Sequence, residues 1–178
     1  MKKRQLLSFE LFPPKTDRGM ANLSETIQQL CRYKPEYISV TYGAGGGNVG
    51  ANREVCRMVR NAGTVPVTHF TVIRNTKQGI REQLETYLKE GVDHILALRG
   101  DFPRGETSTG GDFNYATDLV KFIRDEFGEQ FEIAVAGSPE GHISCRSLEA
   151  DIGVLKMKQD NGADYIMTQL CWDMEQFE

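Results

Sequence analysis

The chain has 178 residues, 39% of them hydrophobic and 26% charged, with a formal net charge of −4. That balance fits one globular domain with its own core, and the lack of a basic stripe interleaved with aromatics argues against nucleic acid as a partner, because binding it takes clustered Lys and Arg to displace counterions. No apolar run approaches the ~20 residues a membrane helix needs, and the basic start Met1–Arg4 leads into a stretch broken by Ser8 and Glu10, which does not read as a signal peptide.

Along the chain, β-prone runs alternate with helical patterns. The first strand is predicted at Leu6–Phe12, stopped by Pro13 and Pro14. Leu23, Ile27 and Leu30 then share a helix face that Pro35 ends. Tyr37–Tyr42 is the second strand, followed by a helix marked by Val55 and Val59, with Gly63 as its C-cap. Val65–Val72 is the third strand, and the stripe Ile80, Leu84, Leu88 closes at Gly91. His94–Arg99 is the fourth strand. It runs into Phe102–Asp112, rich in Gly, Ser and Thr, which reads as a functional loop. Leu119, Phe122 and Ile123 mark the next helix before Gly128, and Phe131–Ala136 the fifth strand. A last stripe, Leu148, Ile152 and Leu155, precedes Gly162 and the sixth strand, Tyr165–Leu170.

Such alternation predicts βαβ units and a parallel sheet. An open doubly wound sheet and a closed barrel both satisfy it. The strand ends favour the barrel. Glu10, Thr41, His69, Thr71, Arg99, Asp101, Ser138, Glu140, His142 and Gln169 lie at the C-terminal ends of the strands. A barrel gathers all such ends at one mouth, whereas an open sheet brings together only those at its switch point. The predicted fold is therefore α/β, a (βα)8 TIM-barrel type that is incomplete, with about six βα units forming one domain over residues 1–178.

Several residues carry chemistry, each beside a plainer reading. Glu10, between Phe9 and Leu11, would lose solvation, which favours a protonated carboxyl and a general acid; the alternative is a solvated strand face. Arg99-Gly100-Asp101 offers a planar fork for phosphate or carboxylate and a close backbone approach, or simply an Arg–Asp pair capping a turn. Gly45 to Gly50 matches G-x-G-x-x-G, but the next strand ends Thr71-Val72-Ile73-Arg74 without the acidic residue that a dinucleotide site needs, so a flexible ligand-side loop is preferred. His69 and His142 have no third ligand at metal spacing. Trp172 is a stacking surface or ordinary packing. The four cysteines, Cys31, Cys56, Cys145 and Cys171, lack paired spacing and read as reduced thiols of a cytoplasmic protein.

In order, Ser8-Phe9-Glu10-Leu11-Phe12-Pro13-Pro14-Lys15, Ser39-Val40-Thr41-Tyr42-Gly43-Ala44-Gly45, His69, Ala97-Leu98-Arg99-Gly100-Asp101, Pro139-Glu140-Gly141-His142, Asp151, Lys158 and Thr168-Gln169 resemble the methylenetetrahydrofolate reductase family. The resemblance implies an FAD-dependent oxidoreductase that reduces 5,10-methylenetetrahydrofolate to 5-methyltetrahydrofolate, with NADH or NADPH as hydride donor. It implies Glu10 as general acid, Asp101 against both pterin and flavin, and Gln169 on the pterin or nicotinamide. Thr41, Tyr42, Ala44, His69, Arg99, Gly100, Asp101, Tyr115, Ala116, His142, Asp151 and Lys158 would line the FAD. Asp151 and Lys158, seven apart, share a helix face; without the resemblance that face reads as solvated.

The chain departs from the family pattern at Ser138, where a tyrosine is usual, and at Ile143-Ser144, where Pro-Glu is usual. Two further strand–helix units are expected after Glu178. A sheet without them exposes two edges and part of its core, so the chain is expected to form a homo-oligomer or to meet a completing polypeptide, and to turn over weakly. A flavin- or folate-binding remnant, a regulatory subunit and a phosphate-ligand barrel are the competing readings.

Overall fold

The computed structural model describes residues 6–42, 49–102 and 105–177. Six strands, β1 (Ser8–Leu11), β2 (Tyr37–Val40), β3 (Val65–Thr71), β4 (His94–Leu98), β5 (Glu132–Gly137) and β6 (Tyr165–Thr168), alternate with helices α1 (Asp17–Cys31), α2 (Val49–Asn61), α3 (Lys77–Lys89), α4 (Ala116–Phe127), α5 (Leu148–Asp160) and a short α6 (Met174–Phe177). Side-chain oxygens start the helices. Thr16 accepts from the Gly19 N–H, Thr76 from Gly79 and Ser147 from Ala150, and the Asp118 carboxylate takes the Asn114 and Tyr115 N–H groups. Each satisfies donors that the first helical turn leaves free.

Every strand pairs in parallel with its chain neighbour, in the order β1-β2-β3-β4-β5-β6. This order separates the two candidate architectures. A doubly wound sheet reverses direction at a switch point; here there is no reversal, and the sheet curls into a half-barrel. Its two faces carry different residues because strand side chains alternate. Outward go Leu11, Ile38, Val40, Phe70, Ile95, Ala97, Ile133 and Val135, packed beneath Ile27, Val55, Val59, Ile80, Leu84, Leu119 and Ile123 of the helices. Inward go Val67, Leu96 and Ala134, with Tyr37, Leu98, Tyr165 and Met167 against them.

Asn52, wholly buried in α2, joins four elements. Its Nδ2 donates to the carbonyls of Val40 (3.0 Å) and Thr41 (3.1 Å), while its Oδ1 accepts from the Thr68 hydroxyl (2.9 Å) and the Tyr87 hydroxyl (2.6 Å). At the opposite end of the sheet, Arg124 of α4 donates to the carbonyls of Gly162, Gly128 and Phe131 and pairs with Asp164. The Asp164 carboxylate also accepts the Ile133 N–H at 2.7 Å. One arginine thus clasps the entries to β5 and β6.

Of the stripe predicted on α5, only Leu155 is half-buried. Leu148 and Ile152 are exposed, as are Val154 and Met157, and the buried residue of that helix is Asp151. Apolar spacing alone did not reveal that this helix turns its polar side to the sheet. Along β6, Ile166 and Thr168 are exposed on the outer face, and at the other border of the sheet Leu6 and Leu7 are exposed.

The stretch read as a functional loop is docked, among its described residues, on the turn between β3 and α3. Arg74 N–H donates to the Thr109 carbonyl, Asp112 N–H to the Asn75 carbonyl, and the Asp112 carboxylate takes the Lys77 N–H at the start of α3. Gly111 fits there because a methyl group would lie 2.3 Å from the Asn75 carbonyl oxygen and 2.8 Å from its nitrogen. Backbone cannot yield as a side chain can, so Gly111→Ala is expected to cost roughly 1–3 kcal/mol. Thermal melts would measure it, with faster limited proteolysis in this loop as the accompanying sign.

Candidate active site

The rim at the C-terminal strand ends collects the residues singled out above. Glu10 stands at the top of β1, and its side chain is 48% exposed. The desolvation predicted from its neighbours is therefore absent. Phe9 and Leu11 belong to the outer core, while Glu10, between them in sequence, faces the other way. Instead its Oε2 lies 3.5 Å from Nε2 of His69, two strands away.

His69 and Thr71 sit two apart on β3, on the same side of the strand, and both are nearly buried. Nε2 of His69 and Oγ1 of Thr71 are buried without a hydrogen-bond partner among the described residues. Most buried polar atoms are satisfied, so these two on one strand face mark a polar spot at the mouth, which the Glu10 carboxyl completes for His69 if it closes in and a polar ligand would complete for Thr71. Burial pushes the His69 imidazole down from its ordinary 6.5 to about 4, leaving it neutral at pH 7.

A pH dependence follows. The unfolded chain takes up the His69 proton near 6.5 and the folded chain near 4, so the unfolded state binds more protons between those values. The stabilisation is complete above pH 6.5 and is lost as pH falls to about 4. Over that window the wild type should lose roughly 2–4 kcal/mol more stability than His69→Phe. Urea unfolding at a series of pH values measures the difference, and parallel curves for the two proteins would contradict it.

Tyr42 is turned away from the mouth. Its ring packs against Phe70 at 5.8 Å between centroids, and its hydroxyl donates to Gln83 Oε1 at 2.8 Å. Gln83 donates on to Asn75, which donates to the Thr71 carbonyl. Burial raises the Tyr42 phenol to about 12. Only its backbone is left for a ligand, because the side chain is committed to the core. Thr41 is held by its N–H on the Leu11 carbonyl (2.9 Å) and by Asn52 on its own carbonyl. Ala44 and the rest of Gly43–Asn48 lie outside the described residues.

At the top of β4, the Arg99 guanidinium lies over the Phe102 ring, 4.7 Å from its centroid, and donates to the Gly100 carbonyl. Among the described residues it makes no ion pair with Asp101, so the turn-capping Arg–Asp pair is not formed. Gly100 adopts φ 85°, and a methyl group there would lie 2.7 Å from Ile73, which reserves the position for glycine. Asp101 is exposed on the rim. Tyr115, also exposed, is the N-cap of α4 and Ala116 its first residue.

The loop after β5 closes on α5. The buried Asp151 carboxylate accepts the His142 N–H at 2.8 Å and faces the Cys145 thiol at 3.3 Å. Lys158 Nζ donates to the Ala136 carbonyl at 2.7 Å, and burial lowers its pKa. Asp151 and Lys158 thus share a helix face turned toward the sheet, not a solvated one. His142 is exposed. Gln169 continues β6, its N–H on the Gly137 carbonyl at 2.7 Å, with an exposed side chain. Trp172 beyond it is exposed rather than packed. Asn52, Asn75 and Gln83 were missed from sequence. Asn52 left one trace, a polar residue at the head of the buried spacing Asn52, Val55, Cys56, Val59.

Among solved structures, 2,3-dimethylmalate lyase aligns over 97% of this chain and 60% of its own, with a TM-score of 0.62 at 10% sequence identity, a likeness of fold. The family model for methylenetetrahydrofolate reductase matches residues 1–178. The chain belongs to the methylenetetrahydrofolate reductase family. Methylenetetrahydrofolate reductase (NADH) 1 of Arabidopsis thaliana is 38% identical over 183 residues, covering 96% of this chain. The 5,10-methylenetetrahydrofolate reductase of Salmonella typhimurium is 37% identical over 172 residues, also covering 96%. The chain spans 31% of the plant relative and 56% of the bacterial one. Among the described residues, no helix of this reductase-family chain is long and apolar enough to cross a membrane.

Proposed function

We propose that this chain carries the folate-reducing site of a methylenetetrahydrofolate reductase, with FAD as carrier and NADH or NADPH as hydride donor, acting in cytoplasmic one-carbon metabolism. The family match over residues 1–178 carries the reading. The rim supports it chemically. The buried Thr71 hydroxyl awaits a polar partner, and Arg99 brings a fixed positive fork. Thr41, the Tyr42 backbone, Ala44, Gly100, Tyr115, Ala116, His142, Asp151 and Lys158 would complete the cradle. Asp151 would act through the loop it holds, and Lys158 would have to leave the Ala136 carbonyl to reach an anion. When bound, the flavin would supply hydride transfer. The protein's part is orientation and charge.

In this reading Glu10 donates the proton that opens the five-membered folate ring to the reactive iminium. Its half-exposed carboxyl at the mouth suits a group that must meet substrate and be reprotonated each cycle. Asp101, exposed above β4, and Gln169, exposed above β6, would take the pterin. Four free cysteines support the cytoplasmic setting. Exposed Ile152, Ile166 and Leu170 support assembly with copies of itself or with a completing polypeptide.

The test is spectral. Protein incubated with FAD and desalted should stay yellow, with peaks near ~370 and ~450 nm, and bleach anaerobically with NADH. Colourless protein would overturn the flavin reading; colour that NADH does not bleach would leave a binding remnant.

A further inference from the structure

We infer that His69 is a positioning residue for the Glu10 carboxyl, holding it across the barrel mouth for proton transfer. The inference rests on the reading of Glu10 as proton donor given above. One strand, β2, lies between the partners' backbones, and one short side chain on it permits the contact. On β2, the residue level with Glu10 is Ser39, whose hydroxyl turns back to the Phe9 carbonyl. The longer glutamate can therefore pass over β2 to the imidazole of β3.

The imidazole is nearly buried, and the carboxylate facing its otherwise unpartnered Nε2, at 3.5 Å, is that of Glu10. This is longer than a formed N–H···O bond, and catalytic contacts commonly tighten when substrate binds. Because burial keeps His69 neutral at pH 7, the contact is not an ion pair.

Neutrality is what suits the imidazole to the task. A lysine or arginine in its place would favour the ionised carboxylate and weaken it as an acid. With its proton on Nε2, a neutral imidazole donates to an ionised carboxylate and equally to the carbonyl oxygen of a carboxylic acid, whose own O–H stays free for substrate. Glu10 passes between those two states in each cycle, and His69 can hold it in both.

The contact is tested without turnover. In the intact chain, labelled with 15N in its three histidines (His69, His94 and His142), long-range 1H–15N spectra report each ring. Glu10→Gln, at an exposed side chain that threatens no packing, should move both His69 ring nitrogens while His94 and His142 stay in place. For the chemistry, His69→Phe should lower kcat of the folate half-reaction by about tenfold to a hundredfold, with KM changed less than about twofold. His69→Asn, which keeps a donor and an acceptor, should restore part of the loss. Unmoved His69 signals would overturn the pairing, whatever Glu10 does. Moved signals together with undiminished folate reduction by Glu10→Gln would instead overturn the proton-donor reading, and the catalytic purpose of the pairing with it.

Discussion

Asn52→Leu is expected to destabilise the fold by about 3 kcal/mol, a fall in melting temperature of roughly 6–12 °C for a domain of this size. Leucine fills nearly the same volume, so the loss is not a cavity. It is the removal of one side of a buried polar cluster. Tyr87 is wholly buried, and its hydroxyl, 2.6 Å from Asn52 Oδ1, would lose that acceptor. Thr68 could fall back on the His69 carbonyl at 3.2 Å. The Thr41 carbonyl would lose the donor that steadies the top of β2. Unsatisfied buried groups cost more than formed bonds gain. Melts followed by circular dichroism measure the change; a shift below about 2 °C would mean that the cluster relaxes onto other partners.

Glu10→Gln is expected to slow the folate half-reaction by about 10²–10⁴-fold while flavin reduction by NADH changes less than about twofold. Glutamine keeps the shape and reach of the side chain but has no carboxyl proton to give. Its exposure at the mouth means that the fold should not respond. Anaerobic stopped-flow absorbance separates the half-reactions. Persistence of both in Glu10→Gln would remove Glu10 from the acid role. Equal loss of both would point to a distorted flavin site.

The strands and most helices were legible because their signals are local. Each strand bound was predicted to within two residues, for example Val65–Val72 against Val65–Thr71. Polar residues at strand ends anticipated a barrel rim, and the strictly consecutive strand order bears this out. What failed were inferences from apolar neighbours. Phe9 and Leu11 suggested a buried Glu10, yet alternation along the strand sends them to the other face. Leu148, Ile152 and Leu155 suggested a core stripe, yet only Leu155 turns inward, and Asp151 and Lys158 hold that side of α5 with it, because the loop after β5 and the Ala136 carbonyl need polar partners there. Tyr42 was placed in the ligand site by resemblance, while its side chain closes a chain of amides running from α3 to β3. Such arrangements depend on partners from different elements, up to 41 positions apart for Tyr42 and Gln83, which the periodicity of a single element does not relate.

The consecutive strand order also governs how the molecule comes apart. With every strand bonded only to its predecessor and successor, either border can peel away while the middle keeps its pairing. β3, buried at every position but its first, and β4, buried through its middle, form the durable centre; β1 and β6 alternate between sheltered and exposed positions. Glu10 and Gln169 ride on the two borders, while His69 and Arg99 are anchored at the centre. Each fluctuation of β1 thus carries Glu10 relative to a better anchored imidazole, so local breathing of one strand can set how often the two side chains come within reach.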